Sequence, residues 1–218
     1  MQPPTPNREA VMKVLKAEVL GQPLYPLAIQ RGLTVEKGGK LNKGWVGQTL
    51  EVLAHLSNSS LASPDGVDFE LKSTKVEFKT GAWQFQETVK VTNLNPQKIL
   101  GEEFETSLLW RKLSHLVLVG CQYHSPTDAV AVSVSAIDVT QPQLVQEVRS
   151  FWEDVRHLIG SGEMPDHNNL GSFSDLIQLR PTGNGKGLSV CPITNRKFSA
   201  RAFYATKRLL NSLTRPTA

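Results

Sequence analysis

The sequence has little cysteine and no long apolar run, and both absences narrow the possible classes of protein. Only two of its 218 residues are cysteines, Cys121 and Cys191, and they form no CxxC pair. Neither a structural zinc site nor a disulfide framework is therefore indicated. No apolar stretch approaches the roughly 20 residues of a membrane helix, and Met1-Gln2-Pro3-Pro4 lacks the charged and then apolar pattern of a secretory signal. We expect a soluble, cytoplasmic protein without a membrane partner.

Two common kinds of catalytic site are also missing from the sequence. Its five histidines are scattered, with no HxxxH or HExxH spacing, which argues against a histidine-based metal site. No serine stands in a GxSxG nucleophile elbow. The sequence also has no internal repeat and no low-complexity tract, and its length suits a single domain over residues 1–218.

Acidic residues are absent from the last fifth of the chain. The net charge is only +4, but the stretch from Leu176 to Ala218 contains basic residues alone, namely Arg180, Lys186, Arg196, Lys197, Arg201, Lys207, Arg208 and Arg215. Such a one-signed stretch is typical of a surface that binds a polyanion, although a solvated basic face without a partner has the same composition.

The hydrophobic pattern predicts an α/β fold with a mixed central sheet flanked by helices. The predicted helices cover residues 7–21, 24–31, 43–56, 104–113, 140–159 and 199–213. The predicted strands cover residues 66–79, 84–92, 115–121, 129–135 and 176–180, and a loop or hairpin is expected over 181–197.

The strand that begins near residue 66 carries the most informative polar pattern. Side chains alternate along a strand, so Glu70 and Lys72 project to one face while Leu71 faces the core. Asp65, at the turn into this strand, can bring a second carboxylate to the same point, and Asp68 is a competing ligand. Carboxylates suit Mg²⁺, which can polarise a phosphate, and a lysine can orient the attacking water. The alternative is an exposed strand face with a salt bridge.

An upstream helix can add a third carboxylate to this site. Lys43 and Glu51 are eight residues apart and share a helical face, with Gln48 close to it. If that helix packs beside the strand, Glu51 lies near the carboxylates; otherwise it is a surface acid on an amphipathic helix.

Together, these short sequence motifs resemble those of the MutH mismatch-repair endonucleases and of the related GATC-cutting type II restriction endonucleases, which belong to the PD-(D/E)xK class. The resemblance starts with KGWVGQTLE at Lys43 and continues through Asp65 and Glu70-Leu71-Lys72. Further matching words, in the same order, are Glu103-Phe104-Glu105-Thr106-Ser107, Lys112-Leu113, Ile177-Gln178-Leu179-Arg180-Pro181 and Phe203-Tyr204 with Lys207. The resemblance covers most of the chain, roughly Lys43 to Leu213.

The resemblance implies two lobes that form a DNA cleft, with a catalytic lobe over roughly 40–135 and a DNA-recognition part over roughly 172–215. It implies that Asp65 and Glu70 bind Mg²⁺, with Mn²⁺ as a substitute, and that Lys72 completes the catalytic set. Glu51 and Lys43 match supporting positions, Lys43 towards the DNA. Lys112 matches a lysine near the scissile phosphate, and its alternative is a helix C-terminal charge.

For DNA recognition the resemblance places Arg180 and Tyr204 against the bases, where arginine reads guanine and tyrosine tests for an adenine methyl. Lys186, Lys207 and Arg208 are then phosphate contacts, and the alternative is that they are solvated charges. Thr182 stands where MutH has a base-reading lysine, and the gap between Asp65 and Glu70 is shorter than in MutH.

We therefore expect a Mg²⁺-dependent, site-specific endonuclease of duplex DNA, of the type II restriction kind, that cuts at or near GATC. One alternative is a MutH-type enzyme that nicks one strand in mismatch repair and responds to a MutL-type partner. Another is a DNA-binding module without activity. The chain is expected to be a monomer or a dimer induced by DNA.

Overall fold

The computed structural model describes residues 6–56, 65–66, 69–166, 174–182 and 187–214. The chain forms two compact units. The first comprises Met1–Glu87 and His115–Asp138, and the second comprises Thr88–Ser114 and Val139–Ala218. Within the described chain, no helix combines the length and apolar composition needed to cross a membrane.

The first unit is a four-stranded sheet covered by helices. Its helices are α1 (Arg8–Glu18), α2 (Leu24–Gln30) and α3 (Trp45–Leu53), and a short ribbon is formed by β1 (Glu36–Lys37) and β2 (Lys40–Leu41). Its sheet strands are β3 (Glu70–Lys79), β4 (Ala82–Phe85), β6 (His115–Ser125) and β7 (Asp128–Asp138). The strand order is β4-β3-β6-β7; β3 is parallel to β6, and the other pairs are antiparallel. The sheet is therefore mixed, which confirms the predicted α/β class.

One face of this sheet packs on the helices. Trp45, Leu50 and Leu53 of α3 are fully buried in the same core cluster as Leu71 of β3 and Val117 of β6. These positions repeat at the helical spacing in α3 and alternate in the strands, as burial of one face requires. The opposite face of β3 is consequently the face that carries Glu70 and Lys72.

The described residues of the second unit form a three-stranded antiparallel sheet and four α-helices. Its sheet strands are β5 (Val89–Asn93), β8 (Ile177–Pro181) and β11 (Arg201–Ala205), in the order β5-β11-β8. Its other elements are α4 (Pro96–Gly101), α5 (Leu108–Leu113), α6 (Pro142–Gly160), α7 (Lys207–Thr214) and the hairpin of β9 (Leu188–Val190) with β10 (Lys197–Ser199). Two aromatic pairs contribute to its core, Phe104 with Trp152 and Phe151 with Phe203.

The predicted strand over 84–92 is wrong, because two strands of different sheets occupy that stretch. β4 pairs with β3, whereas β5 pairs with β11. Phe85, Val89 and Val91 are buried, and all three are odd-numbered, as one continuous strand would have them. The hydrophobic pattern alone therefore does not reveal the break between β4 and β5.

The predicted last helix from Ser199 is also wrong at its start. Residues Arg201–Ala205 form β11, which pairs with a strand on each side, and α7 begins only at Lys207. The Thr206 hydroxyl accepts a hydrogen bond from the amide of Leu209 at 3.3 Å and so caps this helix. Tyr204 consequently lies on a strand rather than on a helix.

Candidate active site

The start of β3 brings two carboxylates and one lysine into direct contact. The Lys72 Nζ atom lies 2.5 Å from Glu70 Oε1 and 3.5 Å from Asp65 Oδ2. Glu70 is almost fully buried, at 1% exposed, while the Asp65 and Lys72 side chains keep about a quarter of their surface, 22% and 25%. The ammonium group is therefore the counter-charge of a buried carboxylate, at a point that solvent or substrate can reach.

Backbone hydrogen bonds hold Asp65 against β3. Its Oδ2 accepts a hydrogen bond from the Leu71 amide at 3.0 Å, and its own amide donates to Glu70 Oε2 at 3.2 Å. The next residue, Gly66, donates from its amide to the Phe69 carbonyl at 3.0 Å. A Cβ atom at Gly66 would overlap the buried Phe69 ring, so this turn requires glycine.

Glu51 of α3 is electrostatically coupled to this group. Burial raises the pKa of Glu51, the charge of Asp65 raises it further, Lys72 partly lowers it and Glu70 adds a smaller increase. Burial is the largest cause of this upward shift, and the negative charges of Asp65 and Glu70 add to it. A cation bound beside these carboxylates would lower the pKa.

The pKa of Lys72 is raised in spite of its environment. Burial alone lowers it, but the charges of Glu70 and Asp65, with the hydrogen bond to Glu70, outweigh that effect. Lys72 therefore carries its proton at neutral pH. It also donates a hydrogen bond to the Leu71 carbonyl at 3.1 Å, which fixes the ammonium over the carboxylates.

The donor set fits a hard divalent cation with few protein ligands. In the described part of the chain, no three side chains among His, Cys, Asp and Glu converge as a metal site. Two carboxylates do converge, those of Asp65 and Glu70, with Glu51 near them. Mg²⁺ typically takes one or two carboxylates and completes its shell with water and substrate phosphate.

The two other lysines implied for the catalytic region belong to other elements than β3. Lys43 is exposed in the turn that precedes α3. Lys112 is a buried residue in the last turn of α5, in the second unit. Their roles stay predictions.

The second unit places the two expected base-reading residues on neighbouring strands. Arg180 of β8 lies with its guanidinium carbon 5.7 Å from the centroid of the Tyr204 ring on β11. Its Nη1 atom donates a hydrogen bond of 3.1 Å to the hydroxyl of Thr88. Sequence reasoning named the first two residues and missed Thr88, which belongs to no motif.

The stretch from Leu176 to Ala218, here called the basic segment, is less positive than its composition indicates. Arg196 forms a two-point ion pair with Asp166, with distances of 2.5 and 2.8 Å, and Arg208 pairs with Asp175. Arg201 is buried. Both acids stand just before the acid-free stretch begins, which is why a count over Leu176–Ala218 did not include them.

Lys207 remains exposed at the start of α7, and no acid among the described residues pairs with it. Lys186 falls in the stretch 183–186, outside the described residues, so its predicted phosphate contact stays a prediction. Gln178, the residue directly across from Tyr204, has a buried Oε1 atom without a hydrogen-bond donor in the described chain.

Comparison with known proteins agrees with the similarity inferred from the motifs. The family model described as "DNA mismatch repair enzyme MutH" matches residues 55–150. That range includes Asp65, Glu70, Lys72 and Lys112, but neither Glu51 nor Arg180.

Several relatives align over most of the chain. A DNA mismatch repair protein MutH of Shewanella baltica is 28% identical over 174 residues, which cover 78% of this chain and 76% of the relative. A MutH protein of Vibrio campbellii is 26% identical over 201 residues, or 89% and 86% of the two chains. The solved complex of restriction endonuclease MvaI with its cognate DNA aligns with 94% of this chain, at 11% identity and a TM-score of 0.41. The resemblance to MutH proteins expected from the motifs is thereby confirmed as a similarity.

Proposed function

We propose that this protein is a Mg²⁺-dependent endonuclease that hydrolyses phosphodiester bonds in duplex DNA at or near GATC, in the manner of a type II restriction enzyme. The observation that carries the proposal is the contact of Asp65, Glu70 and Lys72 at the start of β3. The similarity to MutH proteins over most of the chain supports the same reaction class.

Asp65 and Glu70 would hold the metal ion, and Glu51 would support it through its charge. When bound there, Mg²⁺ or Mn²⁺ would polarise a phosphate oxygen and lower the pKa of a water molecule. The raised pKa of Glu51 supports this assignment, because burial and then the charges of Asp65 and Glu70 disfavour its ionised form, which a nearby cation would favour.

Lys72 has three tasks in this proposal. Its raised pKa keeps it protonated, so it neutralises the carboxylates and can stabilise negative charge that develops on the phosphate. Its hydrogen bond to the Leu71 carbonyl and its contact with Glu70 fix its position. A positioned ammonium can also orient the attacking water, because it donates a hydrogen bond to the water oxygen. It does not act as a base towards that water.

DNA recognition is assigned to the second unit and to flanking lysines. Arg180 offers a planar fork of donors that matches guanine O6 and N7, and Tyr204 lies beside it. Lys207, Lys43 and Lys186 are proposed phosphate contacts, and Lys112 is proposed to lie near the scissile phosphate. An enzyme with this substrate would act in the cytoplasm, as a monomer or as a dimer formed on DNA.

A second candidate function is strand nicking in mismatch repair with a MutL-type partner. The specific observation in its favour is that the matched family model and the curated relatives are MutH proteins. A binding module without activity is disfavoured, because Asp65, Glu70 and Lys72 are all present and in contact.

The decisive experiment compares supercoiled plasmid without methylation and with full adenine methylation at GATC, each with Mg²⁺ or EDTA. Mg²⁺-dependent linear fragments would support restriction, and their ends would give the recognition site. Nicked circles that full methylation prevents would support the repair function, to be repeated with a MutL-type protein. Cleavage that survives in EDTA would refute the metal-dependent mechanism.

Matched variants separate the site from the rest of β3. Asp65→Ala and Glu70→Ala are expected to bind DNA and to lose cleavage. Glu77→Gln is the control, because Glu77 lies on the same strand but is exposed and pairs with Lys79 at 2.6 Å. Cleavage by Glu70→Ala at the rate of Glu77→Gln would place the active site elsewhere.

A further inference from the structure

Arg180 is held across the sheet of the second unit by a residue outside every recognised motif. The Arg180 side chain leaves β8, passes the Tyr204 ring on β11 at 5.7 Å, and reaches the Thr88 hydroxyl at 3.1 Å. Thr88 is the residue that precedes β5, the strand on the other side of β11. One hydrogen bond and one ring contact thus tie together side chains from three neighbouring segments.

The register of the sheet explains why the guanidinium can take this path. Ala202 is the residue of β11 directly opposite Arg180, and it presents only a methyl group on that face. Tyr204 is two positions further along β11, the diagonal neighbour that a long side chain can reach. Leu179 and Phe203 point to the opposite, buried face, so they leave this path open.

The partner of Arg180 is a neutral hydroxyl, in contrast to the partners of Arg196 and Arg208. Those two arginines pair with aspartates, whereas Arg180 has no carboxylate partner among the described residues. A guanidinium group has five N–H donors, and the bond to Thr88 uses one of them. Arg180 therefore keeps its full charge and most of its donors for a ligand while its orientation is fixed.

We propose that Thr88 is a positioning residue that fixes the Arg180 guanidinium on Tyr204 and thereby sets how sharply the protein discriminates between DNA sequences. The inference rests on the proposed function, in which Arg180 reads a base. Arginine has a large rotamer entropy, and fixing the side chain before binding lowers the entropy lost in the complex. A guanidinium that is free to turn would still attract phosphates, but would select its base less well.

The matched pair of variants is Thr88→Val, which keeps the shape and removes the hydroxyl, and Thr88→Ser, which keeps the hydroxyl. The first measurement uses the free protein: the NMR signal of the Arg180 Nε–H group, assigned by its loss in Arg180→Lys. The ring current of Tyr204 should shift this signal in the wild type and in Thr88→Ser. In Thr88→Val the signal should move towards that of an unconstrained arginine.

The second measurement compares cleavage of two short duplexes, one with the sequence at which the wild type cuts plasmid and one with that sequence scrambled. We expect Thr88→Val to lower the ratio of the two rates about fivefold, the mid-range effect of one hydrogen bond. Thr88→Ser should stay near the wild-type ratio, and binding to the scrambled duplex should be the same for all three proteins. In an Arg180→Lys background, Thr88→Val should have no further effect, because the two residues act through one contact.

The outcomes separate the inference from the proposed function. An Arg180 signal that is unchanged in Thr88→Val would overturn the inference whether or not the protein cuts DNA. A shifted signal with an unchanged cleavage ratio would overturn the role in discrimination. A wild-type protein that neither binds nor cuts duplex DNA would overturn the proposed function, and with it the purpose assigned to the contact.

Discussion

Replacing Lys72 by methionine removes the cation that contacts both site carboxylates. Methionine keeps most of the length of the side chain but no charge. In the wild type, Lys72 Nζ lies 2.5 Å from Glu70 Oε1 and 3.5 Å from Asp65 Oδ2. The variant therefore leaves the buried Glu70 carboxylate without its nearest positive charge.

The structure allows an estimate of the loss in stability. Breaking a buried ion pair by removing one partner lowers the free energy of unfolding by about 3–5 kcal/mol. The Lys72 side chain is 25% exposed, and Glu70 still accepts the hydrogen bond from the Asp65 amide. Both facts reduce the effect, so we expect a loss of about 3 kcal/mol in the absence of divalent cations.

Urea unfolding at neutral pH, in EDTA and in Mg²⁺, measures this loss. Mg²⁺ should narrow the gap between the variant and the wild type, because a cation on the two carboxylates replaces the missing charge and stabilises the folded state by mass action. Lys75→Met is the control: Lys75 lies on the same strand, is 39% exposed and pairs with the exposed Glu77 at 3.7 Å. It should change stability by less than about 1 kcal/mol.

The pH dependence gives a further check on Lys72. Because its pKa is raised in the folded state, its stabilising contribution is fully present at neutral pH and is lost only as the pH rises through that raised value.

Two results would refute the view of Lys72 as the counter-charge of a metal site. One is that Lys72→Met has the stability of Lys75→Met in EDTA. The other is that Lys72→Met differs from the wild type by the same amount in EDTA and in Mg²⁺.

Three further substitutions test the site and its surroundings. Glu51→Gln should be more stable than the wild type at neutral pH without metal, because the raised pKa of Glu51 means that folding disfavours its ionised form. The difference in stability should vanish as the pH falls below the ordinary glutamate pKa. Urea unfolding at a series of pH values measures it. Gly66→Ala should lower stability by about 1–3 kcal/mol and cleavage by about 100-fold, because the new methyl group overlaps the Phe69 ring and displaces the turn; circular dichroism melts and plasmid cleavage measure both. Lys207→Ala should lower the number of ions released on DNA binding, taken from the slope of log affinity against log salt concentration, by about one. Arg196→Ala should leave this slope nearly unchanged, because Arg196 is already paired with Asp166.

The sequence was most informative where local pattern and burial agree. In β3, the alternation of Leu71 with Glu70 and Lys72 requires only that one face of the strand be buried, and the structure has this arrangement. The stripe of Trp45, Leu50 and Leu53 in α3 is equally local. Both elements could be predicted because each buries one face against a single layer.

Long-range pairing was beyond the reach of the sequence pattern. Arg201–Ala205 forms the middle strand of its sheet because β5 and β8 pair with it from both sides, and nothing within those five residues reveals either partner. Helix α4 was not predicted, because Asn95 and Pro96 are also typical of a loop that ends a strand. In the structure the Asn95 side chain accepts from the amides of Gln97 and Lys98 and starts the helix.

The electrostatic partners were the least predictable part of the chain. Arg196 meets Asp166 across 30 residues, and Arg180 meets Thr88 across 92. A count of charges treats all arginines of the basic segment alike, yet the fold neutralises Arg196 and leaves Arg180 charged. Which basic residues can bind a polyanion is therefore a property of tertiary structure.

The charges at the start of β3 argue for a site that needs a counter-ion in addition to Lys72. Asp65, Glu70 and Glu51 supply three carboxylates, and Lys72 supplies one ammonium, so the group carries two net negative charges when all four are ionised. Burial, and after it the charges of Asp65 and Glu70, raises the pKa of Glu51. One divalent cation would balance it while Lys72 remains protonated and available to the phosphate. A second lysine in place of Glu51 would balance the charge equally well and would leave no reason to bind a metal, so the excess itself supports a metal-dependent reaction.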